Sequence, residues 1–119
     1  MAASVLIIDD DPVFRGLAER LLVAAGLNVA SQADSVGAGM SAARELEPDA
    51  ILLDVMLPDG SGVTPARAFA ALPWRPRVLL TSSSPDAVAQ EEIEASGVVA
   101  FVWKNELADA PLRRLLENP

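Results

Sequence analysis

The chain has 119 residues, the length of one ordinary domain, and 51% of them are hydrophobic against 22% charged, which supplies a buried core and excludes intrinsic disorder. Nine Lys and Arg face seventeen Asp and Glu, a net charge of −8, so nucleic-acid binding through this chain's own surface is opposed from the start. Cysteine and histidine are both absent, which excludes disulfides, thiolate or imidazole metal sites, thiol nucleophiles and histidine general bases.

The first apolar run, residues 5–8, reads as a strand. Phe14, Leu17, Ala18, Leu21 and Leu22 follow at three- and four-residue steps, the stripe of a helix with one buried face. Asp11 is placed to cap that helix, Pro12 to occupy its first position, and Gly26 to end it in a left-handed turn. A weaker strand is expected at 28–30. The next helix is carried by Val36, Met40, Ala43 and Leu46, begins after Asp34 or Ser35, ends before Pro48, and is weakened by Gly37 and Gly39. Strands at 50–53, 77–80 and 99–102 complete a set of five.

Proline marks three more helix starts, at Thr64-Pro65, Ser84-Pro85 and, one residue looser, Asp109-Ala110-Pro111. The third helix is expected to run to Leu72 and the fourth to end at Gly97, while the fifth buries Leu112, Leu115 and Leu116 before Pro119. Strict alternation of strand and helix implies right-handed crossovers and an α/β fold, a doubly wound five-stranded parallel sheet of order 2-1-3-4-5. Residues 1–119 are expected to form a single domain with no output domain attached. No apolar run approaches the ~18 residues that span a bilayer, and no cationic leader precedes the first strand. A cytoplasmic chain without membrane contact is the expectation.

In such a sheet, ligands gather beyond the carboxyl ends of the strands. There the sequence places Asp9, Asp10 and Asp11 after strand one, Asp54 after strand three, Thr81, Ser82 and Ser83 after strand four, and Trp103 and Lys104 after strand five. Carboxylates crowded into one crevice repel, and a raised pKa or a divalent cation relieves them. Oxygen donors without nitrogen or sulfur suit Mg²⁺, which keeps waters and takes further ligands from a phosphoryl group. Lys104 is the only lysine in a chain whose other cations are arginines. A compact ammonium pairs with one carboxylate or phosphoryl oxygen without the wide fork of a guanidinium.

Taken together, Asp9-Asp10-Asp11-Pro12, the stretch from Asp54 through Met56, Pro58, Asp59 and Gly60 to Gly62, Leu80-Thr81-Ser82, and Gly97 through Phe101 to Lys104 resemble the receiver domains of two-component response regulators. The resemblance covers the whole chain and implies a CheY-like, flavodoxin-like fold of five βα units. It implies that Asp54 is the phosphoacceptor, Asp10 a direct Mg²⁺ ligand, Asp9 a support for the metal through water, and the Met56 carbonyl a further ligand, with Mn²⁺ able to substitute. Thr81 and Lys104 then hold phosphoryl oxygens, and Phe101 turns inward when Thr81 moves.

The implied function is a phosphorylation-controlled switch that takes its phosphoryl group from a phosphohistidine on a histidine kinase or phosphotransfer protein, with no turnover of a separate substrate. It acts as a monomer or phosphorylation-linked dimer on a downstream target or output domain. The competing reading is a receiver-like binding module that works without phosphorylation. An aspartate-nucleophile phosphatase is disfavoured because Met56 stands where its second aspartate belongs. Asn105 replaces the proline usual after the lysine, so a trans or strained Lys104-Asn105 bond is expected, and Ala100 stands in a place that is often glycine.

Overall fold

The computed structural model describes residues 2–84 and 88–117. Five strands form one parallel sheet: β1 (Ser4–Ile8), β2 (Asn28–Ala33), β3 (Ala50–Asp54), β6 (Arg77–Ser82) and β7 (Ala100–Trp103), in the order β2-β1-β3-β6-β7. The intervening β4 (Met56–Leu57) and β5 (Gly60–Ser61) are two-residue arms of a small antiparallel hairpin. With the hairpin set aside, the order is the expected 2-1-3-4-5.

The sheet divides the core in two. Val5, Ile7, Leu52 and Leu79 pack against Phe14, Ala18 and Leu22 of α1 (Pro12–Ala24) and Leu112 and Leu116 of α5 (Leu112–Leu116). On the other face Leu6, Ile8, Ile51, Leu53, Val78 and Leu80 meet α2 (Val36–Leu46) through Ala43 and α3 (Thr64–Ala70) through Ala66 and Phe69. Since the central strands are covered on both sides, their apolar runs do not alternate. Each fully buried Leu or Ile contributes roughly 1.5–3 kcal/mol through removal from water.

Local sequence explains both ends of α1 and the start of α2. The Asp11 side chain accepts the Val13 amide at 2.9 Å, Pro12 occupies the first turn, and Gly26 adopts φ +89°. Ser35 caps α2 by accepting the Ala38 amide. Gly39 weakens α2 as an isolated helix but permits its close approach to β1, because a Cβ there would lie 2.5 Å from Ile8 Cδ1.

Other elements differ from the sequence reading. β2 extends to Ala33; in this edge strand Ser31 is half-buried on one face, while on the other the Gln32 amide accepts from Arg15 and donates to Glu19 of α1. Thr64 is the first residue of α3 rather than its cap; Val63 takes the cap position without a side-chain hydrogen bond, and the helix stops at Ala70 instead of Leu72. The fourth helix, α4 (Gln90–Ala95), is shorter than expected and begins after Ala89. Ser84 instead donates its amide to Ser82 Oγ, and Pro85 lies outside the described residues. β7 is displaced by one residue, to Ala100–Trp103. A 3-10 helix, Lys104–Asp109, buries Leu107 where only a connection was expected, and Pro111 rather than Asp109 occupies the cap of α5. No cis peptide bond occurs among the described residues, so Lys104-Asn105 is trans.

Candidate functional site

Parallel register carries four strand ends to the same level. Ile8 pairs with Leu53 and Asp54 with Thr81, while Thr81 pairs with Val102. Asp9 and Asp10 therefore leave β1 beside the end of β3, and Lys104 leaves β7 beside both. Carboxylate oxygens of Asp9, Asp10 and Asp54 lie within 4.8 Å of one another. Asp9 and Asp54 are buried, whereas Asp10 is exposed.

The Lys104 ammonium divides itself unequally between the buried acids, at 2.8 Å from Asp9 Oδ2 and 3.5 Å from Asp54 Oδ2. Burial pushes the Asp54 carboxyl above its ordinary 3.8, and the charge of Asp9 pushes the same way. The Met56 amide, which donates to Asp54 Oδ1 at 3.2 Å, and Lys104 only partly offset them. Burial acts to lower the Lys104 ammonium, but its contact with Asp9 and the charges of Asp54 and Asp9 together outweigh that and hold it above its usual 10.5. An ion pair ordinarily lowers its acid. Here the ammonium is committed mainly to Asp9, which leaves Asp54 under-compensated.

Thr81 is fully buried, and among the described residues its hydroxyl has no hydrogen-bond partner. An unpaired buried hydroxyl is a costly arrangement unless a further acceptor or donor arrives. Phe101 lies on β7 opposite Leu80, one residue before the level of Thr81, and stacks edge-on against Trp103 at 4.8 Å between centroids. Met56 follows Asp54 by two residues on the hairpin, with a largely exposed side chain.

An all-oxygen cluster with one exposed acid suits a hard divalent ion that retains part of its water shell. Asp9, Asp10 and Asp54 thus fit Mg²⁺ by donor type and spacing.

Residues 5–116 match the family model of the response regulator receiver domain. The chain belongs to that family. This receiver domain is 36% identical over 121 residues to the DNA-binding response regulator MtrA of Mycolicibacterium smegmatis, covering 99% of the chain and 53% of that protein. It is 24% identical to the chemotaxis protein CheY of Bacillus subtilis, covering 97% of the chain and 96% of CheY. Among solved structures, the signal receiver domain of NarL from Mycobacterium tuberculosis superposes with a TM-score of 0.78 at 30% identity, covering 93% of this chain and 94% of that one. The chain spans about half the length of MtrA and of several other curated relatives it matches.

Within this receiver domain the sequence-predicted Asp9, Asp10, Asp54 and Lys104 converge, and Thr81 lies beside Asp54 in the sheet. Sequence reasoning missed the part that three residues play in supporting the site. The Arg15 guanidinium donates to the Asp9 carbonyl at 2.6 Å, and the Phe14 ring lies 4.5 Å from the Lys104 ammonium. Asp59, on the hairpin, accepts the Val36 and Gly37 amides at 2.8 and 2.9 Å and so caps α2 from a distance. Phe14 and Arg15 carried a signal in their place one turn beyond Asp11, at the same end of the sheet as Asp9. Asp59 carried none.

Proposed function

We propose that this receiver domain is a phosphorylation-controlled switch whose acceptor is Asp54. The observation that carries the reading is the seat of the Asp54 carboxylate. It lies at the end of a central strand with the only lysine 3.5 Å away and two further acids beside it.

The phosphoryl donor in this reading is a phosphohistidine on a histidine kinase or phosphotransfer protein, and it lies outside residues 1–119, which contain no histidine. An Asp54 carboxylate oxygen attacks phosphorus in line, the phosphorus–nitrogen bond breaks, and the imidazole leaves with its electron pair. Later attack by water on the acyl phosphate returns the carboxylate and releases phosphate. Mg²⁺ held by Asp10, by Asp9 through water, by Asp54 and by the Met56 carbonyl would supply charge neutralisation as the phosphoryl group arrives. The Lys104 ammonium neutralises a phosphoryl oxygen from the β7 side. The unpaired Thr81 hydroxyl gains its missing partner by donating to another.

That new hydrogen bond draws Thr81 toward the acceptor and favours an inward turn of Phe101, altering the face made by α4, β7 and α5. Residues 1–119 act as one receiver unit whose output passes to a downstream target or output domain.

Incubation with Mg²⁺ and acetyl phosphate, followed by intact mass measurement, tests the reading. One phosphoryl group should add to the wild-type chain and none to Asp54→Asn. Trp103 fluorescence in a Trp74→Phe background should change with phosphorylation. Uptake that survives chelation of divalent metal, or a label mapped to Asp59, refutes the assignment. A chain that takes no phosphoryl group yet engages its target instead acts as a phosphorylation-independent module.

A further inference from the structure

Among the described residues, Lys104 has three neighbours of opposite polarity, and one of them is not an acid. Its ammonium stands 4.5 Å from the centroid of the Phe14 ring, within the range where the negative face of a π-system attracts a cation. Phe14 is only 7% exposed and is fixed in the core among α1, α5 and the 3-10 helix. Any aliphatic residue would fill that core position, but only an aromatic one attracts the ammonium.

We propose that Phe14 is a positioning residue for Lys104, supplying the part of the ammonium's seat that a bound cation does not contest. This rests on the phosphoacceptor reading of the same site. The other two partners of Lys104 are Asp9 at 2.8 Å and Asp54 at 3.5 Å, and both belong to the carboxylate cluster. A hard cation bound there draws on the same lone pairs and weakens the hold of both acids on the ammonium. It has no comparable affinity for an aromatic face, because hard ions keep oxygen ligands and dehydrate reluctantly. The ring therefore retains the ammonium in the crevice when its acidic partners are engaged elsewhere, and lets it slide toward an arriving phosphoryl oxygen.

The single lysine makes this directly observable. Protein labelled with ¹³C-lysine gives one ε-methylene resonance, from Lys104. Its protons should be shifted upfield by the ring, should stay upfield when Mg²⁺ is added, and should move to the free-lysine position in Phe14→Leu. Replacement of Phe14 by mono-, di- and trifluorophenylalanine weakens the ring's negative face at nearly constant shape. The rate of phosphorylation by acetyl phosphate should fall with each fluorine, about three-fold to ten-fold in total, while the melting temperature does not fall. Under Mg²⁺ the ε-methylene signal of the trifluoro form should relax toward the free-lysine position.

A wild-type signal at the free-lysine position, a signal that loses its upfield shift on Mg²⁺ addition, or rates indifferent to fluorination would each overturn the proposal. If wild-type protein takes up no phosphoryl group while its signal stays upfield under Mg²⁺ and relaxes in the trifluoro form, the acceptor reading fails and the ring's hold on Lys104 stands.

Discussion

Replacing Lys104 by methionine keeps most of the side chain's apolar stem and removes its charge. At an effective dielectric constant of ~20, the ammonium attracts each of Asp9 and Asp54, at 2.8 and 3.5 Å, by roughly 5–6 kcal/mol before desolvation is counted. Desolvation cancels much of this, and removing one partner of a buried pair typically costs ~3–5 kcal/mol. Proton uptake limits the loss at Asp54. Its carboxyl already stands above 3.8, and removing the lysine removes a group that holds it down. The metal-free variant should therefore melt well below wild type.

Cation affinity should move the opposite way. An ion shared by carboxylates within 4.8 Å of one another, one of them 2.8 Å from the ammonium, sits within about 8 Å of that ammonium. Even at the dielectric of water, the repulsion of a divalent charge at that distance is about 1 kcal/mol, which corresponds to about five-fold in affinity. Titration calorimetry with Mg²⁺ should show binding at least that much tighter in Lys104→Met, and Mg²⁺ should raise the melting temperature of the variant more than that of wild type. Phosphorylation of the variant should no longer change Trp103 fluorescence in a Trp74→Phe background. If Mg²⁺ binding collapses instead, Lys104 shapes the crevice and does not compete for it.

Thr81→Val replaces the unpaired buried hydroxyl with a methyl group of similar shape, so urea denaturation should show stability raised by about 1 kcal/mol, while the phosphorylation-linked Trp103 signal weakens. A destabilised variant would mean that the hydroxyl has a partner in solution. The Asp59 carboxyl is held below 3.8 by the Gly37 amide and then by that of Val36. Its contribution is thus fully present above 3.8 and lost as pH falls through the lower folded value. Asp59→Ala should melt below wild type at neutral pH, with the gap closing in that acid window; a gap independent of pH would assign the loss to something other than the charged cap.

Sequence revealed what local chemistry dictates. Asp11, Pro12 and Gly26 frame α1 through contacts within a few residues, so their types alone announce the helix. The unbroken apolar runs of β1, β3 and β6 announce doubly covered strands. Asp9, Asp54 and Lys104 were legible because strand ends in an alternating α/β chain must meet. The hairpin arms of two residues each are too short to carry a period. In the 3-10 helix Leu107 is buried by packing against distant elements, a circumstance invisible in its neighbours. In α4, no residue is buried, so its apolar pattern had little to report. Phe14 read as core because it is core; its second role exists only when a lysine from the other end of the chain settles above it.

The position of Lys104 also bears on the order in which the chain assembles. Asp9 and Asp54 leave neighbouring central strands, whereas their cation arrives from β7 at the sheet's edge, 50 residues beyond Asp54 in the chain. A partly formed sheet of β1, β2, β3 and β6 brings two desolvating acids together with no counter-charge. It must stay hydrated, protonate, or borrow a solvent cation until the last strand docks. Docking of β7 is therefore rewarded electrostatically as well as by burial, which ties the final strand to the rest in a single cooperative transition. Conversely, fraying of that edge strips the acids of their lysine, so the crevice is complete only when the entire sheet is formed.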